Sequence, residues 1–255
     1  LFCSILKVEH FYFLLENKSA QLSELNKTKD KILSIIAHDM KNPFQSMIGF
    51  SQLLSDDIKE SNFKNIQDYA EFISDGTQKL DVLLSNLLKW SQLQVGSLKL
   101  NHESVSLKDA TTEIQNLFNP AIKEKEIDFS VDINETHKAY CDLHSISAVI
   151  RNLVSNAIKF TSFKGKIKIT SNQRENEVEF VIKDNGVGMD AENLQKLFEM
   201  DKAISFGTNN EKGTGFGLIL CRELVEINGG KISAKSELGK GTEIVFTLPN
   251  LAPEL

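Results

Sequence analysis

Residues 35–44 read Ile-Ile-Ala-His-Asp-Met-Lys-Asn-Pro-Phe, and the periodicity running through them decides the architecture of the first hundred residues. Apolar positions step by three and four, or by seven across Lys18 and Lys29, from Leu15 through Leu22, Leu25, Ile32, Ile36, Met40, Pro43, Met47 and Phe50 to Leu54. That is the a/d seam of a helix that packs along another helix. The seam is weak between 15 and 32, where Lys18 and Lys29 occupy seam positions, and strong from 32 onward. No Pro or Gly interrupts residues 1–42, which allows one long helix. The polar run Asp56-Asp-Ile-Lys-Glu-Ser-Asn62 predicts the break. A second seam follows, Ile66, Ala70, Ile73, Thr77, Leu80, Leu84 and Leu87, and ends near residues 94–97. Two such helices form an antiparallel hairpin. Their apolar stripes are too wide for the pair to bury alone, so the expected solution is a homodimer closing a four-helix bundle.

Beyond residue 105 the pattern changes. Alternating or β-branched runs at 127–133, 166–170, 177–183, 231–235 and 242–248 predict strands, and helical patterns appear at 107–124, 143–160 and 215–228. The last two strands read as a hairpin around Gly239-Lys-Gly241. The fold class is α+β and multidomain: a helical hairpin, then an α/β sandwich with one sheet and helices on one face. A net charge of −6 argues against a nucleic-acid partner held by overall charge. Cys3, Cys141 and Cys221 are odd in number and lack metal-ligand spacing, which reads as buried thiols in a reducing compartment. Lys7, Glu9 and His10 interrupt the apolar start before it reaches the ~20 residues of a membrane span. The chain opens on Leu rather than Met, which suggests a piece of something longer, and its apolar start reads either as the inner end of a membrane segment or as the start of a coiled coil; the expected location is cytoplasmic, as the cytoplasmic portion of a longer sensor.

Four groups of residues could carry chemistry. His38 shares a helix face with Lys41, Asn42, Gln45, Gly49 and Gln52, all polar or small, so it should face solvent with Asp39 beside it as an exposed His-Asp pair. Pro43 removes a helix hydrogen bond close by, a strain of about 3 kcal/mol that suits a site better than a scaffold. Asn152 and Asn156 lie one turn apart on a second helix, with Lys159 following. Two amides and an ammonium suit a metal-bound polyphosphate, although a polar helix face would read the same way. Asp184-Asn-Gly186-Val-Gly188 sets a carboxylate beside a flexible turn. Gly213-Thr214-Gly215-Phe216-Gly217-Leu218 leads into a helix whose N-terminus suits phosphate. Residues 198–212 between them have no pattern and could form a lid.

In this order and spacing the four groups resemble the sensor histidine kinases of two-component systems. His38-Asp39-x-x-Asn42-Pro43 resembles the phosphoacceptor box, 152–161 the asparagine box, and the two Gly clusters the glycine boxes; Phe198 resembles the phenylalanine box and Gly239-Lys-Gly241-Thr242 the closing turn. The resemblance covers about residues 20–250. It implies an N-terminal signalling coiled coil (1–31), a dimerisation and phosphotransfer hairpin (32–97), a linker (98–104), a Bergerat-type ATP-binding domain (105–250) and a short tail (251–255). By the same resemblance the cofactors are ATP and Mg²⁺. Asp184 takes the adenine amino group, Asn156 the Mg²⁺, and Asn152, Lys159, Lys202 and Lys212 the phosphates. Thr242 lies near the base, Gly186 and Gly188 shape its pocket, and the turn from Gly213 to Leu218, with Thr214 and Phe216, closes the lid. Asp142 falls ten residues before Asn152 as the family pattern has it. Ser145 and Phe216 are mild departures, standing where a basic residue and a Leu are usual.

The implied reaction is in-line phosphoryl transfer from ATP to His38 Nε2, then to an aspartate on the receiver domain of a separate response regulator. Asp39 holds the Nδ1 proton. Asn42, one turn on, can position a water for the reverse, phosphatase step. Two rival readings fit the residues less well. A Bergerat-fold ATPase needs a general-base Glu one turn before the metal-binding Asn, and that position is Asn152, which cannot take a proton. A pseudokinase scaffold would be favoured by loss of His38, Asn156, Asp184 or the lid glycines, and all are present. The connection near 57–64 sets whether transfer runs in cis or in trans, and periodicity leaves both open.

Overall fold

The structure is a computed structural model that describes residues 18–19, 23, 33–34, 36–37, 39–95, 97–198, 208 and 217–252. It divides into two compact units, 1–85 and 86–255. The division falls inside a helix, so the expected linker at 98–104 is not where compactness breaks.

In the first unit, helix α1 covers 39–59 and helix α2 begins at Ile66 and runs to Gln94. The polar turn between them is tied by the Asn62 N–H to the Asp57 carbonyl at 2.8 Å. The first seam is real from Ile36 onward: Ile36 is buried, and Met40, Pro43, Met47, Phe50 and Leu54 are half-buried, whereas Leu15, Leu22, Leu25 and Ile32 lie outside the described residues. The second seam sits one residue away from the expected one at every other step. Tyr69, Gly76 and Leu83 turn inward, whereas Ala70, Thr77 and Leu84 are exposed. Gly76 explains the shift: a Cβ there would come within 2.6 Å of Met47 Cγ, so the two helices meet where one of them has no side chain. Phe72, from the flank of α2, stacks on Phe50 at 4.5 Å. Phe44, Ile48, Leu53, Phe72 and Leu84 remain 45–55% exposed.

In the second unit a five-stranded mixed sheet has the order β2-β4-β5-β7-β6. Its strands are β2 (Asp128–Asp132), β4 (Lys166–Gln173), β5 (Glu177–Asp184), β6 (Lys231–Glu237) and β7 (Gly241–Pro249). β2 runs parallel to β4 and the remaining pairs are antiparallel. Period-two alternation puts Ile167 and Ile169, Val178, Phe180 and Ile182, and Ile244, Phe246 and Leu248 on one buried face. The register opposes Phe180 to Phe246, whose rings stack at 4.9 Å. Helices α3 (Leu107–Glu124), α4 (Leu143–Phe160) and α6 (Gly217–Ile227) cover that face, so the one-sided sandwich has the expected form. α4 buries Ile146, Val149, Ile150, Leu153, Val154, Ala157 and Ile158, a stripe at helical spacing.

Three elements depart from the sequence reading. β1 (His102–Ser106) and β3 (Lys138–Asp142) pair antiparallel as a separate two-stranded sheet, and a short helix α5 (Ala191–Gln195) follows Asp190. β1 is mostly polar, so it lacks the alternation that flags a strand. Among the described residues no helix is long and apolar enough to cross a membrane. Cys141 and Cys221 are buried free thiols, and burial pushes the Cys141 thiol up to about 12.

Candidate functional site

α4 is the spine of the candidate nucleotide site. Asp142 caps its N-terminus, accepting from the Ser145 N–H at 2.7 Å and from the Asn101 N–H at 3.0 Å. Burial opposes ionisation of Asp142, but these bonds win and hold its carboxyl below the usual range. Ser145 itself is buried in the cap. One face of α4 packs on the sheet, and the half-buried flank carries Asn152, Asn156 and Lys159. The Asn156 amide donates to Asn152 Oδ1 at 3.0 Å, which leaves the Asn156 carbonyl oxygen to an outside group. That is the hard oxygen ligand Mg²⁺ prefers, so the pair fits the ion.

Gly217, the first residue of α6, lies against this pair. A Cβ at 217 would sit 2.3 Å from Asn152 Nδ2, so any larger residue there would push the amide out of this arrangement. Leu218, next along α6, is half-buried. At the other end of α4 the Phe160 carbonyl accepts from the Val187 N–H at 3.1 Å, tying the helix to the turn after β5.

That turn holds Asp184. Its Oδ1 accepts from the Gly186 N–H at 2.8 Å and the Thr242 N–H at 3.1 Å. Two backbone donors thus fix one oxygen and leave Oδ2 as an acceptor for a ligand. Burial raises the Asp184 pKa above the ordinary carboxylate value, and the two N–H groups pull partly the other way. Gly188 has φ +65°, and a Cβ there would lie 2.0 Å from the Glu237 carbonyl oxygen, so this turn and the β6–β7 turn are in backbone contact. The Gly239 N–H donates to the Val187 carbonyl at 2.7 Å, closing the contact.

Other expected residues are placed less fully. His38, Lys202, Lys212, Gly213, Thr214, Gly215 and Phe216 lie outside the described residues. Phe198 is half-buried after α5. In the first unit Asn42 and Gln45 are exposed and Gly49 has open space at its Cβ position, as the polar face requires. Asp39 corrects the expected exposed His-Asp pair: it is buried, at 7% exposure. It sits three residues after Ile36 and so shares the inward side of the helix with it.

Two groups went unread in the sequence. Lys125 is buried, and its ammonium donates to the carbonyls of Ile158 at 2.9 Å and Thr161 at 3.4 Å, neutralising the C-terminal end of α4, and to Thr208 Oγ1 at 2.9 Å. A Lys at a helix exit followed by Glu-Ile carries no periodic signal. Ser236 bonds to three groups in two segments, Met189 after β5 and Gly241 and Thr242 at the start of β7, and its alternating strand position gives no hint of that.

An α/β sandwich presenting a buried aspartate, paired asparagines and glycine-bounded turns defines a nucleotide-binding unit, here preceded by a helical hairpin. Comparison with known proteins agrees. Residues 141–252 match the histidine kinase-, DNA gyrase B-, and HSP90-like ATPase family, and residues 28–96 match the His Kinase A (phospho-acceptor) domain. The catalytic domain of histidine kinase ThkA is 31% identical, with a TM-score of 0.53, covering 59% of this chain and 97% of that one. ThkA solved in complex with the response regulator protein TrrA is 25% identical, with a TM-score of 0.66, covering 89% of this chain and 64% of that one. The autoinducer 2 sensor kinase/phosphatase LuxQ of Vibrio vulnificus is 27% identical over 88% of this chain and 27% of its own length. The chain belongs to the two-component sensor histidine kinase family. It spans between 27% and 39% of the length of the curated relatives it matches.

Proposed function

We propose that this chain autophosphorylates His38 from ATP and passes the phosphoryl group to an aspartate of a response-regulator receiver domain. The observation that carries the reading is α4 itself: one helix bonds the Asn152–Asn156 pair, meets Gly217 of α6, and is tied at Phe160 to the turn that holds Asp184. Asp184 Oδ2 accepts from the adenine amino group. Asn156 offers its carbonyl oxygen to Mg²⁺, with Lys159, Lys202 and Lys212 assigned to the phosphates. Bound Mg²⁺ supplies charge neutralisation on the phosphate oxygens.

His38 Nε2 attacks the γ-phosphorus in line. The P–N bond forms as the P–O bond to the β-phosphate breaks, and ADP leaves with the electron pair. The Nδ1 proton stays on the ring, and Asp39 is assigned to hold it. In the second step the receiver carboxylate takes the phosphoryl group and His38 returns neutral. Asn42, exposed on α1, is assigned to hold the water that attacks the phosphoaspartate in the reverse, phosphatase direction. The kinase/phosphatase LuxQ and the ThkA complex with its regulator support that pair of activities and that partner. The exposed apolar residues of the hairpin support a homodimer, with the chain acting as the cytoplasmic portion of a longer sensor.

The test is incubation with γ-labelled ATP, followed by acid or alkali. Label that is lost in acid and kept in alkali is expected; an unlabelled protein, or label that survives acid, overturns the reading.

A further inference from the structure

The β6–β7 turn contains a hydrogen-bond arrangement that the nucleotide reading does not use. Ser236 Oγ accepts from the Met189 N–H at 2.9 Å, lies 2.9 Å from the Gly241 carbonyl oxygen, and lies 2.9 Å from Thr242 Oγ1. Its partners come from the turn after β5 and from both residues that open β7. The backbone of one of them, Thr242, donates to Asp184 Oδ1.

Proton counting decides the direction of each bond. A serine hydroxyl has one proton and two lone pairs. A carbonyl can only accept, so the Ser236 proton goes to the Gly241 oxygen. The Met189 N–H occupies one lone pair of Ser236, and the other accepts the Thr242 hydroxyl proton. Every member is then satisfied, which a half-buried network favours. If Ser236 gave its proton to Thr242 instead, the Gly241 carbonyl would lose this bond.

With its proton committed to Ser236, Thr242 Oγ1 presents only lone pairs. Asp184 Oδ2, ionised, also presents only lone pairs. We infer that Ser236 is a positioning residue that fixes the Thr242 hydroxyl as an acceptor, so that the base site selects a purine carrying a 6-amino donor and rejects a 6-oxo purine. This rests on the adenine-nucleotide reading and sharpens it. A 6-oxo purine brings an acceptor oxygen where the protein also offers acceptors, and that mismatch is what discriminates strongly between bases. Removing Ser236 lets the Thr242 hydroxyl turn and donate, which relieves the mismatch.

The experiment measures affinity for Mg-ATP and Mg-ITP by competition against a fluorescent ATP analogue, on the full chain and its Ser236→Ala, Ser236→Thr and Thr242→Val variants. Wild type should prefer ATP. Ser236→Ala should lower the ATP-over-ITP ratio by at least about five-fold, and Ser236→Thr, which keeps the hydroxyl, should retain it. Thr242→Val should lower the ratio as well, and adding Ser236→Ala to it should change the ratio no further. A purely structural role would weaken both nucleotides equally and leave the ratio alone, and that result overturns the inference. Should Ser236→Ala fail to fold by its melting curve, an unchanged ratio in Thr242→Val overturns it instead. Failure of wild type to bind either nucleotide overturns the adenine reading beneath it.

Discussion

The two units bury their apolar residues to very different degrees. In the sandwich, Leu153, Ile167, Phe180, Phe246 and Leu248 are at most 1% exposed, and a full face of the sheet is covered. In the hairpin Ile36 and Leu83 are buried, while Phe44, Ile48, Leu53, Phe72 and Leu84 stand about half in water. A sandwich of that kind holds itself together. A hairpin with that much exposed apolar surface is built to be covered by something else. Glycines follow the same division. In the sandwich, Gly188 and Gly241 face backbone atoms at about 2 Å with positive φ, so nothing can give way. In the hairpin, Gly76 faces a methionine side chain, which can. The turn that holds Asp184 is thus fixed by backbone contacts, and the hairpin is held by side-chain packing that can adapt.

If chemistry is divided in the same way, substitutions should separate by unit. The largest effect is expected for His38→Gln, which should abolish labelling from ATP while leaving nucleotide affinity unchanged, because every assigned binding residue belongs to the other unit. Labelling at the wild-type level would remove His38 from the mechanism.

Next in size is Asp184→Ala. Losing a charged acceptor should weaken ATP binding by about 1.5–3 kcal/mol, roughly 10–150-fold, read by calorimetry. pH sharpens the assignment. Burial raises the Asp184 pKa, so acidification should protonate it, and weaken ATP binding, at a higher pH than an ordinary aspartate would. Asp184→Asn should lack that limb of the profile. The same raised pKa has the opposite sign for stability of the ligand-free protein: its contribution is complete below the unfolded value near ~3.9 and is lost as pH rises through the folded value. Unchanged ATP affinity in Asp184→Ala would refute the base contact.

How much of this contrast was readable in advance follows from the same physics. The sheet strands at 166–173, 177–184 and 241–249 alternate apolar and polar residues because one face is buried, and that alternation is visible in the sequence. β1 and β3 form a small sheet of their own, and polar β1 shows no such signal. In the hairpin the position of the first seam was legible from its large side chains. The second slipped by one residue because Gly76, at the contact, has no side chain to count, and Leu84 beside the buried Leu83 looks equally apolar. Asn152, Asn156, Asp184 and the glycines stand out in the sequence as candidates by residue type and spacing. Lys125 and Ser236 act through bonds to backbone atoms distant in sequence, which no local pattern records.

A smaller effect is expected at Asn42. Its exposed amide is assigned only to the water of the phosphatase step, so Asn42→Ala should leave labelling of His38 within about three-fold and slow regulator dephosphorylation by about ten-fold, ~1.4 kcal/mol of barrier. Parallel loss of both activities together with a lower melting temperature would instead make Asn42 a support for the helix at Pro43.

The smallest effect tests the adaptable packing itself. Gly76→Ala should gain about 1 kcal/mol of helix propensity, since glycine inside a helix is costly. The new methyl must displace Met47 from a 2.6 Å contact, and overpacking of this kind costs typically 1–3 kcal/mol. Thr77 Oγ1 lies 3.2 Å from Met47 Sδ, so moving the sulfur also disturbs that contact. The net change should therefore be a destabilisation of about 1 kcal/mol, measured as a shift in the hairpin's unfolding midpoint. Met47→Ala should cancel it: with the thioether gone, Gly76→Ala keeps its propensity gain and meets no obstacle, so the double variant should be more stable than the sum of the single changes implies. Additive effects would mean that Gly76 is not what sets the distance between α1 and α2. A loss several-fold larger would mean that the hairpin is as unyielding at this point as the sandwich is at Gly188.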